Sequence, residues 1–170
     1  MKLTIRPEGK KDYTAIRQIN RRAFHTDAEA NLVDALRQSN VPIISLVAEC
    51  SDIIAGHIFF SEVKLDGQCQ EIRICGLAPM AVLPEYQRQG IGSQLVTEGM
   101  KTCRQAGYSA VVVLGHRQFY PRFGFEPSVN FKIKSEFDVP DEVFMIRELS
   151  KDALTNCSGT IKYHAAFKQF

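Results

Sequence analysis

The chain has 170 residues, 45% of them hydrophobic, and its 21 lysines and arginines nearly balance its 19 aspartates and glutamates. A net charge of +2 argues against the basic face of a nucleic-acid-binding protein, and no apolar run approaches the roughly 18 residues of a membrane span. We expect one domain over residues 1–170, soluble and cytoplasmic, because domains commonly hold roughly 100 to 200 residues and residues 1–6 are too charged for a secretory signal.

The first forty residues predict a strand followed by two helices. Residues 3–6 alternate apolar and polar side chains, as a strand does. Asp12 is expected to cap the first helix, and the spacing Thr26-x-x-Glu29 indicates a capping box for the second. Pro42 lies beyond the end of the second helix.

Three strands are predicted next, over residues 44–50, 53–65 and 71–82. A turn at Asp66-Gly67 is expected to join the second of them to the third. Such a meander of neighbouring strands places the segment that follows it beside the sheet.

A glycine-containing turn joins the third of these strands to an amphipathic helix. The turn contains Gly90 and Gly92, and the apolar face of the helix runs from Ile91 through Cys103 to a stop at Gly107. Because no carboxylate lies in the first turn, its unpaired N–H groups and the positive end of the helix dipole are left for an anion. Glycines let the backbone approach that anion closely, as where a pyrophosphate binds a helix N-terminus.

Three nucleotide-binding patterns are possible for this turn. A fourth possibility is a plain strand-to-helix turn, in which glycine pairs also occur. A Walker loop is disfavoured because no lysine follows Gly92, and a dinucleotide fingerprint is disfavoured because Leu95 stands where a third glycine is needed. The remaining pattern, Gln-x-x-Gly-x-Gly, is formed by Gln87, Gly90 and Gly92. It is similar to the acetyl-CoA loop of the GNAT N-acetyltransferase superfamily.

A second motif follows at the spacing that this family requires. Residues 110–114 predict a buried strand, and the segment Tyr120-x-x-x-Gly124-Phe125 is similar to the family's Tyr-x-x-x-Gly-Phe signature. Two motifs in the right order are much more specific than one, and the whole chain resembles the YhbS-type branch of the superfamily. The rest of the chain predicts a fourth helix and then strands over 143–149 and 160–167.

The resemblance implies an α+β, three-layer fold, in which helices flank a mixed, mostly antiparallel sheet. The sheet is expected to splay between the strand before the loop and the strand after its helix, so that pantetheine completes it. Acetyl-CoA is the implied co-substrate, with no metal. Main-chain groups expected to contact the acetyl and pantetheine end belong to Met80, Ala81 and Val82. The pyrophosphate is expected to bind Arg88, Gln89, Gly90, Ile91, Gly92 and Ser93.

The implied reaction is direct attack of a primary amine on the thioester. An alkyl ammonium has a pKa of about 10.4, so only about one molecule in a thousand is a nucleophile at neutral pH. A main-chain N–H near Val82 is the family's usual donor to the oxyanion. Tyr120 is predicted to protonate the leaving thiolate, although a tyrosine between Phe119 and Phe123 also suits a core position.

The general base has no clear candidate in the sequence. Family members that use a glutamate place it six residues before the position of Val82, where this chain has Gly76. The candidates that stay open are Glu62, Glu71, His57 and His116, with deprotonation through water as the default. His116 also stands where many relatives carry an asparagine that contacts pantetheine. The missing glutamate keeps a second reading open, a catalytically silent acetyl-CoA sensor.

The acceptor is expected to be a small-molecule or peptide amine, and the protein a monomer or homodimer without nucleic-acid or membrane partners. Segments 24–29 and 129–142, over which the acceptor approaches in the resembling fold, hold slightly more acids than lysines. This favours a cationic amine.

The five cysteines show no metal-ligand spacing, and their odd number argues against a disulfide framework. We expect thiols, with Cys50, Cys75 and Cys103 buried. A cysteine that carried the acetyl group would need a nearby base, which the sequence does not single out.

Overall fold

A computed structural model describes residues 2–169, which contain three α-helices and nine strands in an α+β arrangement. Helices α1, α2 and α3 span Tyr13–Phe24, Ala28–Gln38 and Ile91–Gln105. Strands β1 to β5 span Leu3–Pro7, Ile43–Cys50, Ile53–Gln68, Ile74–Val82 and Ala110–Leu114. Strands β6 to β9 span Glu126–Pro127, Ile133–Ser135, Phe144–Glu148 and Ser158–Lys162.

The described residues form two compact units, of which the first contains residues 2–61, 78–99 and 165–169. Strand β1 pairs antiparallel with β2, and β2 pairs antiparallel with residues 53–61 of β3. Helices α1 and α2 present apolar side chains at helical spacing to this layer. The core between them contains Ile16, Val33, Leu36, Val47 and Phe59.

The second unit contains residues 62–77 and 100–164. In it, β5 pairs parallel with β4 and antiparallel with β8, which also pairs with β6. Residues 64–68 of β3 pair antiparallel with β9, and β9 pairs parallel with β7. The core of this unit includes Val63, Ile74, Val112, Ile146 and Ile161.

The parallel ladder between β4 and β5 is short. It runs from Ile74 with Ala110 to Leu77 with Val113, whereas β4 continues to Val82. The predicted mixed, mostly antiparallel sheet is confirmed, and the early end of this ladder agrees with the predicted splay between the two strands.

The prediction of a fourth helix after β5 is wrong. The structure has a single turn of 3-10 helix there, over Tyr120–Phe123. Pro121 lies in its first turn, and Gly124 at its end takes a left-handed φ of 88°. A proline near the start and a left-handed residue three positions later limit the segment to one turn.

The turn predicted at Asp66-Gly67 is also wrong, because β3 continues through both residues to Gln68 and pairs with β9. Gly67 faces Gly159 across the ladder, and a β-carbon on Gly67 would lie 2.7 Å from the Cα of Gly159. The glycine therefore permits a close approach of two backbones and does not reverse the chain.

The two predicted helix caps differ in detail from the structure. The Asp12 carboxylate accepts from the N–H of Gly9 at 2.7 Å and from Arg6, and makes no side-chain cap of α1. At α2 the Thr26 hydroxyl donates to the Glu29 carboxylate at 3.0 Å and accepts from the N–H of Ala28. Thr26 thus lies one residue before the N-cap of the helix, and the box is incomplete.

Cys50, Cys75 and Cys103 are buried thiols, as predicted. The expectation that no cysteines are paired is wrong, because Cys69 and Cys157 form a disulfide in the second unit. The two residues are 88 positions apart, so no local spacing in the sequence indicates the pairing.

Candidate functional site

One hydrogen bond shows in which direction the main-chain groups at the end of β4 point. The N–H of Leu83 donates to the carbonyl of Ala55 on β3 at 2.8 Å. Because successive residues of a strand direct their N–H groups to opposite sides, the N–H of Val82 points away from β3. The side chains of Ala81 and Leu83 are buried against Ile19, which anchors this strand end on α1. The carbonyl of Val82 accepts from Nε2 of Gln87 at 3.0 Å.

The loop after β4 leads directly into α3, and its backbone is set by two residues with left-handed φ. Arg88 has a φ of 63° and Gly90 a φ of 85°. The first helical hydrogen bond runs from the N–H of Gln94 to the carbonyl of Gly90 at 3.1 Å. The N–H groups of residues 91–93 precede it and have no acceptor within the helix.

The surroundings of this helix start suit an anion. No acidic residue lies in the first turn of α3, and a β-carbon on Gly90 would meet no described atom within 4 Å. Glu85 is the only acid between β4 and α3, and both oxygens of its carboxylate accept from Arg22, at 2.9 and 2.8 Å. The Arg22 guanidinium lowers the pKa of Glu85, so the loop carries no unpaired negative charge against a phosphate.

The structure therefore brings the predicted cofactor residues together in the first unit. Met80, Ala81 and Val82 form the end of β4, Arg88, Gln89 and Gly90 the loop, and Ile91, Gly92 and Ser93 the first turn of α3. Ile91 is buried and anchors the helix start, whereas Arg88 and Gln89 are exposed. Together these groups offer main-chain donors, the positive end of a helix dipole and an arginine, which is a donor set that fits a diphosphate.

Tyr120 lies in the second unit, in the 3-10 turn after β5. Its ring packs edge-on against Phe119 and Phe125 and fills the space that a β-carbon on Gly115 would occupy. Burial raises the pKa of Tyr120 to about 12. No described residue accepts from or donates to its hydroxyl, and the hydroxyl oxygen is not one of the fully buried unpaired polar atoms. The phenol is thus a protonated donor without a partner among the described residues, on a ring that its aromatic neighbours hold in place.

The structure excludes one of the four candidate bases. His57 is fully buried inside the first unit, hydrogen-bonded to Ser45 and Asn20. Burial lowers its pKa to about 3, so it is neutral and inaccessible to an acceptor at neutral pH.

The other three candidates lie at or near the surface of the second unit. The Glu62 carboxylate accepts from Arg73 at 2.9 Å, and Glu71 is exposed. His116 is exposed, and its carbonyl accepts from the N–H groups of Phe119 and Tyr120. Its main chain thus stabilises the turn that carries Tyr120.

At the position of the missing strand glutamate, two other residues lie against β4. A β-carbon on Gly76 would lie 3.0 Å from Cε1 of Tyr163 and 3.2 Å from Cγ1 of Val63. The main-chain N–H of Tyr163 donates to Oε1 of Glu136 at 3.1 Å. No local pattern in the sequence indicates that Tyr163 lies at this place, because only the return of β9, which ends at Lys162, brings it to Gly76.

Ion pairs weaken the argument for a cationic acceptor, which rests on the excess of acids over lysines in segments 24–29 and 129–142. Asp27 pairs with Arg21 at 2.6 Å in the first unit, and Glu142 lies 4.0 Å from Arg117 in the second. Beside the turn between α1 and α2 there is an open cavity of about 460 Å³, lined by Gln18, Arg21, Arg22, His25, Thr26 and Asp27. Its lining holds more cationic than acidic groups.

Two further properties concern the described residues only. Within residues 2–169, no group of three or more His, Cys, Asp or Glu side chains is arranged to hold a metal ion. Over the same range, none of the helices has the length and apolar character needed to cross a membrane.

Known proteins resemble this chain in sequence and in structure. The family model of the acetyltransferase (GNAT) domain matches residues 43–127. The chain is 36% identical over 169 residues to YhbS, an uncharacterized N-acetyltransferase of Escherichia coli K12, and the match covers 99% of this chain and 100% of that protein.

Two crystal structures extend the likeness to the fold. A crystal structure of Escherichia coli YhbS in complex with CoA is similar with a TM-score of 0.93 and 36% identity, over 100% of this chain and 94% of that chain. A GNAT family acetyltransferase from Brucella melitensis, in complex with acetyl-CoA, has a TM-score of 0.80 and 34% identity, over 98% of both chains.

Proposed function

Because the chain belongs to the GNAT acetyltransferase family, we propose that it transfers the acetyl group of acetyl-CoA to a primary amine by direct attack on the thioester. The observation that carries this proposal is the start of α3, where a left-handed Gly90 opens onto free space and no acid lies in the first turn. Two similar proteins were crystallised with CoA and with acetyl-CoA, which supports the same cofactor here.

Different residues of the first unit bind different parts of the cofactor. N–H groups of Gly90, Ile91, Gly92 and Ser93 bind the diphosphate together with Arg88 and Gln89. Main-chain groups of Met80, Ala81 and Val82 contact the acetyl and pantetheine end of the cofactor. In this proposal residues 1–170 act as a single cytoplasmic N-acetyltransferase domain, as a monomer or homodimer, without a metal, a nucleic acid or a membrane partner.

Attack of the amine turns the thioester carbonyl into an oxyanion. The N–H of Val82 suits this oxyanion because the N–H points away from β3. The carbonyl of Val82 is already held by a hydrogen bond from Gln87. A fixed donor at the developing charge costs no reorganisation during the reaction, which is why such groups contribute strongly to the rate.

Tyr120 is the proposed donor to the departing sulfur. Its raised pKa keeps the phenol protonated, which a donor requires. A thiol has a pKa of about 8.5, so complete transfer from a phenol near pKa 12 to the thiolate is unfavourable. Tyr120 therefore acts mainly by a hydrogen bond that stabilises the thiolate as the C–S bond breaks.

One observation favours a second candidate, an acetyl-CoA sensor without turnover. The strand position that carries a glutamate in many family members is Gly76 in this chain, and Tyr163 covers it. A protein without a base could still bind the cofactor.

Calorimetric titration with acetyl-CoA, ATP and NAD, followed by turnover with a panel of primary amines, tests both candidates. The panel contains a polyamine, a lysine peptide, an aminoglycoside and an acidic amine. We expect binding of acetyl-CoA alone, and turnover with at least one amine. Gly90→Val together with Gly92→Val should weaken acetyl-CoA binding at least tenfold, whereas Thr97→Val, on the exposed face of α3, should not. Binding without any turnover would support the sensor, and unchanged affinity in the glycine variant would refute both.

A further inference from the structure

The side chain of Gln87 joins the loop before α3 back to the end of β4. Its Nε2 donates to the carbonyl of Val82 at 3.0 Å. The peptide group between Val82 and Leu83 is planar and trans, so its carbonyl points opposite to its N–H, which donates to β3. Gln87 therefore reaches Val82 on the side that faces away from β3. The N–H of Val82 points to the same side.

On that side, no described strand pairs with the end of β4. The ladder with β5 ends at Leu77, five residues before Val82. A strand end of this kind ordinarily offers both an N–H and a carbonyl to a ligand that lies along it as a further strand. Because the amide of Gln87 already lies at the carbonyl of Val82, the N–H is the group that stays open to a ligand.

The backbone of the loop fixes Gln87 in this position. One 3-10 turn, Pro84–Tyr86, leads to Gln87, whose N–H donates to the carbonyl of Pro84 at 3.3 Å. Arg88 follows with a left-handed φ of 63°, a region that few residues other than glycine adopt. The N–H groups of residues 91–93, which have no acceptor within the helix, begin three positions further along. A single side chain thus connects the start of the proposed diphosphate site to the end of β4.

We propose that Gln87 is a positioning residue, which directs the N–H of Val82 to the acyl carbonyl of the cofactor. The proposal rests on the proposed function, in which this N–H binds the thioester oxygen. A thioester oxygen accepts hydrogen bonds, whereas the amide N–H groups of pantetheine donate them. With its carbonyl occupied, Val82 offers a donor alone and therefore selects the thioester over a pantetheine amide.

Without this hydrogen bond, a second alignment of the cofactor becomes available. A pantetheine amide N–H can then pair with the carbonyl of Val82, which shifts the thioester along β4, as a slip in strand register does. The diphosphate keeps its proposed donors, which are main-chain N–H groups of residues 90–93 and the side chains of Arg88 and Gln89. Loss of the Gln87 amide should therefore change how the acyl group is held much more than how tightly CoA binds.

Carbon-13 NMR tests the proposal without an acceptor amine, using acetyl-CoA labelled at the thioester carbonyl. A hydrogen bond polarises this carbonyl and moves its resonance downfield from that of free acetyl-CoA. The variant is Gln87→Met, because methionine has nearly the length of glutamine and no N–H to donate. The matched control is Gln94→Met, at a glutamine of α3 that is also exposed. Affinities for CoA and acetyl-CoA are measured by calorimetry, and kcat is measured with the best amine of the panel.

We expect the downfield shift in wild type and in Gln94→Met, and a clear decrease of the shift in Gln87→Met. The affinity of Gln87→Met for CoA should stay within about twofold of wild type, whereas its kcat should fall about 10- to 100-fold. Its affinity for acetyl-CoA should fall about two- to tenfold, the contribution of one hydrogen bond. Because Gln87 is exposed, the melting temperature of the variant should be unchanged.

Three results would overturn the proposal. A shift in Gln87→Met equal to that of wild type would show that Gln87 does not direct the N–H of Val82. Equal losses of CoA and acetyl-CoA affinity with an unchanged kcat would limit Gln87 to supporting the loop. In both cases wild-type turnover leaves the proposed function intact. Absence of the shift in wild type would remove the N–H of Val82 as a donor to the thioester.

Failure of the proposed function would give a different result. Wild type would then show the shift but turn over no amine, which would refute acetyl transfer. A decrease of the shift in Gln87→Met would still support the role of Gln87.

Discussion

Nε2 of His57 lies 2.9 Å from Oγ of Ser45, inside the core of the first unit. Nδ2 of Asn20 is 3.2 Å from Nδ1 of the same ring, and because an amide nitrogen only donates, Nδ1 must accept. The ring proton is thereby assigned to Nε2, which donates to Ser45. The Ser45 hydroxyl in turn donates to Glu8, whose carboxylate accepts from Arg37 at 2.9 and 3.0 Å. A neutral His57 is thus required at the start of a directed chain of hydrogen bonds.

This arrangement predicts a loss of stability in mild acid. Burial holds the pKa of His57 at about 3, below the unfolded value of about 6.5, so the unfolded state binds the extra proton between these values. The free energy of unfolding should fall by up to about 1.4 kcal/mol for each pH unit below about 6.5, through this group alone. Urea unfolding of wild type and His57→Gln between about pH 4.5 and 7.5 measures the slope.

The His57 variant should lose that part of the slope even if it is less stable throughout. His116→Gln, at an exposed histidine, is the control and should keep the wild-type slope. Equal slopes in all three proteins would contradict the assignment of a neutral buried ring.

The ion pair between Arg6 and Asp12 should contribute measurably to stability. Arg6 holds the pKa of Asp12 at about 2, below its usual value of 3.8, and the Asp12 side chain is only 4% exposed. This stability is present above about pH 4 and is lost as the pH falls through about 2. We expect Asp12→Asn to lower the free energy of unfolding at pH 7 by about 1–3 kcal/mol, because it removes the buried carboxylate charge from Arg6, which then keeps only Glu49 as an acidic partner.

The control for Asp12 is Asp27→Asn, since Asp27 pairs with Arg21 where both side chains are 56% exposed. That substitution should change the free energy of unfolding by less than about 1 kcal/mol. Urea unfolding at pH 7 compares the two, and equal losses would show that burial does not decide the contribution of Asp12.

Reduction of the Cys69–Cys157 disulfide should lower the melting temperature. The bond joins residues 88 positions apart, and closing so long a loop restricts the unfolded chain by about 2–5 kcal/mol in the chain-entropy account. Thermal unfolding with and without dithiothreitol measures the effect. The double variant Cys69→Ser, Cys157→Ser should melt at the lower temperature and should not respond to the reductant. If the melting temperature of that variant still fell with dithiothreitol, the effect of the reductant would come from a group other than this disulfide.

Tyr120→Phe should impair turnover without weakening the fold. The ring contacts with Phe119 and Phe125 are kept, and the hydroxyl that is removed has no hydrogen-bond partner among the described residues. We expect kcat to fall about 10- to 1,000-fold, acetyl-CoA affinity to stay within about twofold, and the melting temperature to be unchanged.

Tyr13→Phe is the control for this prediction, because it removes a hydroxyl from a tyrosine that packs under Arg37 in the first unit. It should leave kcat at the wild-type value. If Tyr120→Phe also kept wild-type kcat, the assignment of Tyr120 as donor to the sulfur would be wrong.

Local patterns predicted the loop and its helix well. Ile91 begins α3 as the spacing indicated, and Gly107, with a φ of 95°, follows its end. Both features depend on residues within one turn of each other, which a sequence displays directly. The early end of the ladder between β4 and β5 followed from the family resemblance that this loop carries.

What the sequence did not reveal depends on residues that meet only after folding. Gly67 was assigned to a turn because its facing partner, Gly159, lies far along the chain. The same is true of Cys69 with Cys157, and of Tyr163 above Gly76. No spacing rule connects positions separated by most of a domain, so these contacts leave no periodic signal.

The facing glycines of β3 and β9 also limit how this protein can diverge. At each position the atoms nearest to an added β-carbon are main-chain atoms of the opposite strand, as Cα of Gly67 is to Gly159 at 2.9 Å. A smaller neighbouring side chain therefore cannot compensate for a substitution at either glycine. A homologue that lost one of these glycines would need to move the whole strand. In a saturation library, codons 67 and 159 should therefore tolerate no replacement, singly or together.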